Sequence, residues 1–319
     1  MENNFELELD EDFQSCRYDV DPEYEYYFLP RNGITEAKLK KYGQWIMNSF
    51  DRTCQKKLTL QLNSEWVARH YLAAKMIMSS TLMLNSMQYS KEANVLISVP
   101  YLMYYATVCC SRALLFTTPE VTNSEFKNVV TITHSKMIKL TSNAINKLDM
   151  KLANKIRNYL LQCRSNRELF SYKFPARGIN LISQPEIDNV INVCGILVEI
   201  AQYASKCIEN YIETYCLEDI KEWKGEKFDP NYITACFKYN LDEYDSVEKK
   251  ETTYSIVDNE DWYRVDFINR KQVYPSSIFL TMTEGMTEDF FGAWYPIDQD
   301  LEDEQFNPDK GWNIIFNIP

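Results

Sequence analysis

Apolar side chains recur every three or four positions through most of the first 220 residues, and this spacing predicts amphipathic helices. The longest helix should begin just after Ser183, because the run Ser183-Gln184-Pro185-Glu186 has the form of a capping box with proline in the first turn. Another helix should kink or break at Pro100, since proline removes a donor and clashes with the preceding turn. The predicted helices begin near Thr35, Ser64, Glu92, Ser124, Asn143 and Pro185.

The pattern changes after Gly225. Asp229 caps a short predicted helix that ends at Phe237. Later runs are rich in β-branched and aromatic residues and are bounded by Asn, Asp, Gly and Pro, which predicts strands. These runs are residues 253–257, 262–268, 277–281 and 312–316. Near the N-terminus, Phe5, Leu7 and Leu9 alternate with acidic residues, as in a short strand or an acidic arm that docks elsewhere.

Together these patterns predict a mainly α fold, a multi-helix body with a smaller C-terminal β-containing (α+β) part. We divide the chain into an acidic N-terminal arm (1–34), an α-helical body (35–224) and an acidic C-terminal α+β part (225–319). The chain has 319 residues, of which 45% are hydrophobic and 14% aromatic. This composition indicates a globular protein with a large core rather than a disordered one.

Charge is divided into three blocks along the chain. Residues 1–26 contain ten acidic side chains and one base, residues 27–225 contain 25 Lys and Arg against 16 Asp and Glu, and residues 226–319 contain 8 against 20. An acidic protein, of net charge −12, therefore has a basic middle. Such an asymmetry bears on partners. The acidic segments are either solvated tails or lie on the basic middle and shield it.

The densest basic run interleaves cations with aromatic rings, a combination that suits single-stranded nucleic acid, with cations for phosphate and ring faces for stacking. The candidate nucleic-acid-binding residues are Arg157, Arg164, Arg167, Lys173 and Arg177. The aromatic residues between them are Tyr159, Phe170, Tyr172 and Phe174. The alternative is a loop whose arginines pair with Glu168 and the acidic tails while the rings pack inside.

Motifs for metals, nucleotides and nucleophilic catalysis are missing from the sequence. His70 and His134 are the only histidines, and neither belongs to an HxxxH or HExxH motif. We expect His70 to lie in the core and His134 to be exposed. The chain has no P-loop, GxGxxG or GxSxG motif, and it has only eight glycines. We therefore predict no cofactor and no metal, and leave open whether the protein is an enzyme.

Cysteine usage and hydropathy predict a cytoplasmic protein. There are nine cysteines and no CxxC pair, and several of them fall in apolar helical runs, as Cys109, Cys110, Cys194 and Cys207 do. Buried, reduced thiols are typical of cytosolic proteins. The N-terminal residues lack the apolar stretch of a signal peptide. The longest apolar run, residues 96–115, is broken by polar residues, so we predict a core helix and no membrane association.

Residues 95–107 (VLISVPYLMYYAT) and 110–119 (CSRALLFTTP) are similar to the central helix of YaaC-like proteins, which are helical bacterial proteins of comparable length. The helical body also resembles the HEPN class, whose members often act as ribonucleases in toxin and antiviral systems. HEPN nucleases use an Arg and a His on one helix, four to six residues apart. Arg112 and the arginines of the basic run have no His at that distance, and Arg69 and His70 are adjacent. The usual catalytic pair is therefore missing, and a binding or scaffold role is implied.

We therefore predict a non-catalytic interaction subunit of a bacterial antiviral defence or stress-response assembly, with a protein partner and with homo-oligomers allowed. One alternative is a HEPN-like RNA-binding protein or ribonuclease with a non-standard site, which predicts that Arg164 or Arg167 meets His134 or a carboxylate. Another is an acidic nucleic-acid mimic, whose carboxylates would be spaced like phosphates. A scaffold predicts no such convergence and a large exposed apolar patch.

Overall fold

A computed structural model describes residues 15–55, 57–223, 225–241, 252–255, 258–294 and 306–319. Over these residues the protein is mainly helical, as predicted. The proposed strand or arm around Phe5, Leu7 and Leu9 and the acidic run at residues 298–304 lie outside the described residues.

The N-terminal half begins with a short antiparallel hairpin and continues as helices. Its elements are β1 (Cys16–Tyr18), β2 (Asp21–Tyr26), α1 (Phe28–Arg31), α2 (Glu36–Cys54), α3 (Leu60–Glu92), α4 (Val99–Phe116), α5 (Asn123–Asn128), α6 (His134–Asn146) and α7 (Met150–Tyr172). Short 3₁₀ turns at Leu96–Ser98 and Gly178–Leu181 precede α4 and follow α7.

The C-terminal half begins with the helix that was predicted to be the longest, which at 32 residues is one residue shorter than α3. Its elements are α8 (Gln184–Tyr215), α9 (Leu217–Lys221), α10 (Pro230–Phe237), β3 (Lys238–Leu241), β4 (Thr252–Ser255), α11 (Asn259–Lys271), α12 (Ile278–Thr281) and α13 (Glu284–Gly292). A 3₁₀ turn at Pro308–Gly311 precedes the C-terminal residues. β3 and β4 form a second two-stranded antiparallel pair.

The centre of the fold is a bundle in which α4 packs between α3 and α8, and α6 and α7 pack against α4. Pro100 lies in the first turn of α4, where its missing N–H needs no partner, so the predicted break falls there. α3 begins at Leu60, four residues before the predicted start, because Thr59 caps it by accepting from the Leu62 amide. Ser64 instead lies inside the helix and donates to the Leu60 carbonyl.

α8 holds both ends of the described chain against the bundle through buried polar side chains. The Glu199 carboxylate accepts hydrogen bonds from the backbone amides of Tyr27, Phe28 and Leu29 at 2.6–3.0 Å. One turn further on, Gln202 donates to Asp21 of β2 and accepts from the Phe279 amide of α12. The N-terminal hairpin and the C-terminal helices are therefore fixed to the same helix.

Three of the four predicted C-terminal strands are wrong. Residues 262–268 lie in α11, residues 277–281 include α12, and residues 312–316 form turns and bends, while residues 253–257 overlap β4. Asp258 begins α11 with a capping box. Its side chain accepts from the Asp261 amide, and the Asp261 side chain accepts from the Asp258 amide. The buried positions of α11 are Asp261, Val265 and Asn269, four residues apart. Since two of these three residues are polar, the pattern of apolar residues did not reveal the helical period. The predicted C-terminal β-containing part is not shown.

The boundaries of the smaller helices also differ from the prediction. The helix predicted from Ser124 is two helices, α5 and α6, and the one predicted from Asn143 begins at Met150, where Asp149 caps it. The division into arm, body and C-terminal part stays a prediction. The buried apolar side chains of the C-terminal helices belong to the same core as those of the bundle.

Two helical segments, Leu96–Phe116 and Gln184–Tyr215, are long and apolar enough to cross a membrane. In this structure 78% and 89% of their most apolar stretch is buried inside the protein, as in the core helices of soluble proteins. The cytoplasmic location stays a prediction. The four cysteines expected in the core, Cys109, Cys110, Cys194 and Cys207, are buried and form no disulfide. Burial raises the pKa of the Cys109 thiol to about 12, so it is protonated at neutral pH.

Candidate nucleic-acid interface

Side chains from α4, α6 and α7 meet at one place on the surface of the bundle. α7 supplies three of them, α4 supplies three, and the first turn of α6 supplies two. We call this group the arginine–tyrosine cluster. Its members are Tyr104, Tyr105, Arg112, His134, Ser135, Arg164, Arg167 and Glu168.

Local sequence explains why the two α7 arginines point outward. The apolar positions of α7, Leu152, Ile156, Leu160 and Cys163 among them, are buried at helical spacing. Arg164 and Arg167 fall between these positions and are half-buried. At the start of α6, Thr133 accepts from the Lys136 amide, which makes His134 and Ser135 the first residues of that helix.

Arg164 is held in place by two neighbours. Its Nε donates to Glu168 Oε1 at 2.8 Å, one helical turn away, and its Nη1 donates to Ser135 Oγ on α6 at 2.6 Å. The Arg164 side chain is 32% exposed, so the ion pair stays in contact with solvent and adds little stability. The contact with Ser135 orients the guanidinium across the gap between α7 and α6.

Arg167 is held by aromatic rings. Its guanidinium carbon lies 5.3 Å from the Tyr104 ring centroid and 5.7 Å from the Tyr105 ring centroid. Its Nη2 donates to the Tyr105 hydroxyl at 3.3 Å. Among the described residues no carboxylate lies within 4.0 Å of Arg167. Its charge is therefore balanced only by the π faces of two tyrosines, a contact that leaves it available to an anion.

His134, which was expected to be exposed, is half-buried and contacts Tyr104. Its ring centroid is 5.3 Å from that of Tyr104. Burial lowers its pKa, and the charges of Arg167, Arg112 and Arg164 lower it further, while Glu168 acts in the opposite direction. The imidazole is therefore neutral at pH 7 and can accept a proton.

Several buried polar atoms of the cluster have no hydrogen-bond partner within the described part of the chain. These atoms are Tyr104 OH, Arg112 Nε, His134 Nδ1 and Arg167 Nε. Tyr104 is 1% exposed, and burial raises the pKa of its hydroxyl to about 12, although Arg167 and Arg164 act to lower it. Unpartnered buried atoms also occur elsewhere in the described structure, as at Tyr42, Tyr203 and Arg264, and in the cluster a polar ligand or a water molecule would satisfy them.

The five residues predicted from the basic run fall into two groups. Arg164 and Arg167 join the cluster. Arg157 is exposed two turns earlier on α7, about 10 Å along the helix. Lys173 and Arg177 are exposed beyond the C-terminal end of α7. No contact of these last three with the cluster is observed.

The alternative interpretation of the basic run holds only in part. Arg164 does pair with Glu168, and Tyr159 and Phe170 are buried. However, Tyr172 is 77% exposed and Phe174 is 66% exposed, and Tyr172 lies within electrostatic range of Arg167. Two rings of the run therefore remain on the surface, and one of them, Tyr172, lies near the cluster.

Sequence reasoning did not include Tyr104, Tyr105 or Arg112 among the candidate nucleic-acid-binding residues, although Arg112 was considered as a HEPN-type arginine. They lie in the most apolar helix, where the two tyrosines look like core residues. Arg112 donates from Nη2 to the Val130 carbonyl at 2.8 Å, which turns it toward the loop before α6. The sequence did contain one signal for this group. Arg112 is a cation on an otherwise apolar helix, and it lies seven residues after Tyr105, so the two residues share a helical face.

The other histidine has a structural role. His70 is fully buried, as expected, and its Nδ1 lies 2.6 Å from the Ser276 carbonyl, which joins α3 to the segment before α12. Burial lowers its pKa to about 4. Among the residues that the structure describes, no group of three or more His, Cys, Asp or Glu side chains is arranged to hold a metal ion.

Comparison of the chain with models of known protein families, with curated proteins and with solved structures finds no match.

Proposed function

We propose that this protein binds single-stranded nucleic acid through the arginine–tyrosine cluster. The observation that carries the proposal is a group of side chains from three helices, in which Arg167 contacts two tyrosines and His134 contacts Tyr104 within the electrostatic field of Arg164 and Arg167. The alternative of a HEPN-like RNA-binding protein or ribonuclease predicts that Arg164 or Arg167 meets His134 or a carboxylate, and the pairing of Arg164 with Glu168 supports it.

Charge supports this proposal. Arg112, Arg164 and Arg167 act together on His134, and Glu168 is the one carboxylate among the charges that act most strongly there. A local positive surplus attracts phosphate even though the whole protein is acidic. Guanidinium groups also bind phosphate oxygens in a bidentate manner, which gives them orientation as well as charge.

Exposed rings beside the arginines support a single strand rather than a duplex. Tyr105 is 39% exposed and contacts Arg167, and Tyr172 and Phe174 continue the aromatic surface at the end of α7. A single strand presents unpaired base faces to such rings, and each stacked base is worth about 1–3 kcal/mol. A duplex hides those faces, so it would gain only from the arginines.

Fluorescence anisotropy with labelled oligonucleotides of one sequence tests the proposal. Single-stranded RNA or DNA should bind more tightly than the same sequence as a duplex. Replacing Arg164 and Arg167 together by alanine should weaken binding about 10- to 30-fold, because two partly exposed charge-assisted contacts are worth about 1 kcal/mol each.

Arg270 provides the matched control, since it also pairs with a carboxylate four residues away on an exposed helix face but lies on α11. Arg270→Ala should leave binding unchanged. Equal weakening by Arg270→Ala and by the double variant would mean that binding follows overall charge, and absence of binding to any single strand at low salt would sink the proposal.

A second candidate function is RNA cleavage at the same place. The observation that favours it is His134, a neutral imidazole within the field of three arginines. Such a group can take the proton of a ribose 2′-hydroxyl while the arginines stabilise the charge on phosphate. Cleavage of RNA but not of DNA, lost in His134→Gln with binding retained, is the expected result. Equal cleavage by the variant would assign the activity to a contaminant.

The role as an interaction subunit of a bacterial antiviral defence or stress-response assembly is part of our proposal, because binding needs no catalysis. The assembly itself is implied by the resemblance to YaaC-like and HEPN proteins. Affinity purification from the native host, with proteins and nucleic acids identified separately, tests it. Recovery of nucleic acid without a stoichiometric protein partner would contradict the subunit role. The acidic-mimic alternative depends on segments largely outside the described residues and stays a prediction.

A further inference from the structure

We propose that the arginine–tyrosine cluster takes a phosphate monoester, the phosphorylated end of a nucleic-acid strand, in preference to an internal phosphodiester. This inference rests on the proposed function, because it names the part of the strand that the same site would hold.

Charge balance within the cluster favours a doubly charged group. Three guanidinium groups, those of Arg112, Arg164 and Arg167, stand against the carboxylate of Glu168, and His134 contributes no charge at pH 7. The surplus of these groups is two positive charges. An internal phosphodiester carries a single negative charge, whereas a phosphate monoester carries about −1.5 to −2 at pH 7.

The hydrogen-bond donors of the cluster also favour a phosphate monoester. A terminal phosphate presents three oxygens that accept hydrogen bonds strongly. Within the cluster, the buried N–H groups that have no partner among the described residues are Arg112 Nε and Arg167 Nε, and the Tyr104 hydroxyl is a third such donor. In the first turn of α6 the Lys136 amide donates to Thr133, whereas the amides of His134 and Ser135 have no carbonyl partner within their helix, so these two add donors and a favourable helix dipole.

Tyr104 is the most telling of these groups. Tyr104 is only 1% exposed. Its hydroxyl lies in the electrostatic field of Arg167 and Arg164 and has no hydrogen-bond partner in the described structure. A phenylalanine would fill the same space without burying a polar atom. Because this hydroxyl lies beside two arginines, unlike the unpartnered hydroxyls of Tyr42 and Tyr203, an anionic ligand in the cluster would accept its proton in a hydrogen bond.

The neighbouring aromatic surface explains why the ligand is the end of a strand rather than free phosphate. Tyr105 contacts Arg167 through its hydroxyl and exposes more than a third of its surface, and Tyr172 is exposed nearby. A terminal base can stack on these rings while its phosphate occupies the cluster. Inorganic phosphate gains only the ionic part of this interaction.

The experiment compares one labelled single strand in three forms, with a 5′-phosphate, with a 3′-phosphate and with hydroxyls at both ends, at equal salt. One phosphorylated form should bind at least about tenfold more tightly than the unphosphorylated strand. Tyr104→Phe should bring that ratio close to one while leaving the thermal midpoint unchanged. Glu168→Gln should increase the ratio, and Arg270→Ala should not alter it.

Competition with inorganic phosphate and with a nucleoside monophosphate separates the sources of the group. The monophosphate should displace the phosphorylated strand at concentrations where inorganic phosphate does not; equal competition would overturn the assignment to a strand end. Equal binding of all three strands would overturn the monoester inference and leave the proposed function standing. Absence of binding by every strand would instead refute the proposed function itself.

Discussion

Glu199 offers a test of how the N-terminal hairpin is fixed to α8. Its carboxylate is fully buried and accepts from the backbone amides of Tyr27, Phe28 and Leu29, which begin α1. These amides have no partner within their own helix, so Glu199 acts as a cap supplied by another helix. We expect Glu199→Gln to change both the stability of the protein and its dependence on pH.

The sign of the pH effect follows from the pKa of Glu199. Burial raises this pKa from 4.5 to about 7, although the three amides that donate to the carboxylate act to lower it. The folded protein therefore holds a proton that the unfolded chain releases between pH 4.5 and 7. Stability from this group is present below pH 4.5 and is lost as the pH rises to about 7. A pKa change of this size corresponds to about 3 kcal/mol.

Urea unfolding followed by circular dichroism at pH 4.5, 5.5, 6.5 and 7.5 measures the effect. As the pH rises across this range, the unfolding free energy of the wild type should fall by about 3 kcal/mol more than that of Glu199→Gln, because glutamine does not titrate. Subtracting the variant removes the contribution of other groups, such as Asp21, whose pKa burial also raises. Glu213→Gln, an exposed change on the same helix, should run parallel to the wild type. Parallel curves for wild type and Glu199→Gln would refute the reasoning.

Other positions give shorter tests of the same packing. Gly195→Ala should destabilise the protein by several kcal/mol in urea unfolding, because a Cβ there would lie 2.3 Å from the Phe28 ring, and an unchanged midpoint would show that α1 can shift freely. Leu197→Ala should cost about 2–4 kcal/mol, since this side chain is fully buried, and a change below about 0.5 kcal/mol would mean that its face meets solvent. Cys110 and Cys207 should react slowly with a thiol reagent in the native protein, and rapid labelling would contradict their burial.

The sequence predicted the elements whose signals are local. Thr35 precedes α2 and Ser183 caps α8, where both were expected, because caps and apolar stripes are read over a few residues. The predicted capping box at Ser183 is only half formed. Ser183 accepts from the Glu186 amide, but the Glu186 side chain accepts from Asn166 of α7. A distant partner decided that contact, and no local pattern contains it.

The C-terminal part could not be predicted in the same way. Asp261 occupies the buried face of α11 because it accepts from Tyr71 and Lys75 of α3, and Asn269 on the same face donates to the Val265 carbonyl. Polar residues in core positions hide the helical period, and the remaining aromatic and β-branched residues then resemble a strand. Tertiary contacts overrode local propensity at this place.

The candidate site shows the same limit. Arg164 and Arg167 were identified from their run of bases and rings, but their neighbours Tyr104 and His134 are 60 and 30 residues away in sequence from Arg164. The packing of α4 and α6 against α7 brings them together, and a sequence pattern contains no record of that packing.

The most direct measurement of the central claim is the salt dependence of binding to a single strand. The logarithm of the binding constant should fall linearly with the logarithm of salt concentration, with a slope of about −0.7 for each phosphate contact. Replacing Arg164 and Arg167 together by alanine should make the slope shallower by about 1.4, while Arg270→Ala should leave it unchanged. Identical slopes for the wild type and the double variant would show that these arginines do not touch phosphate, and would contradict the account.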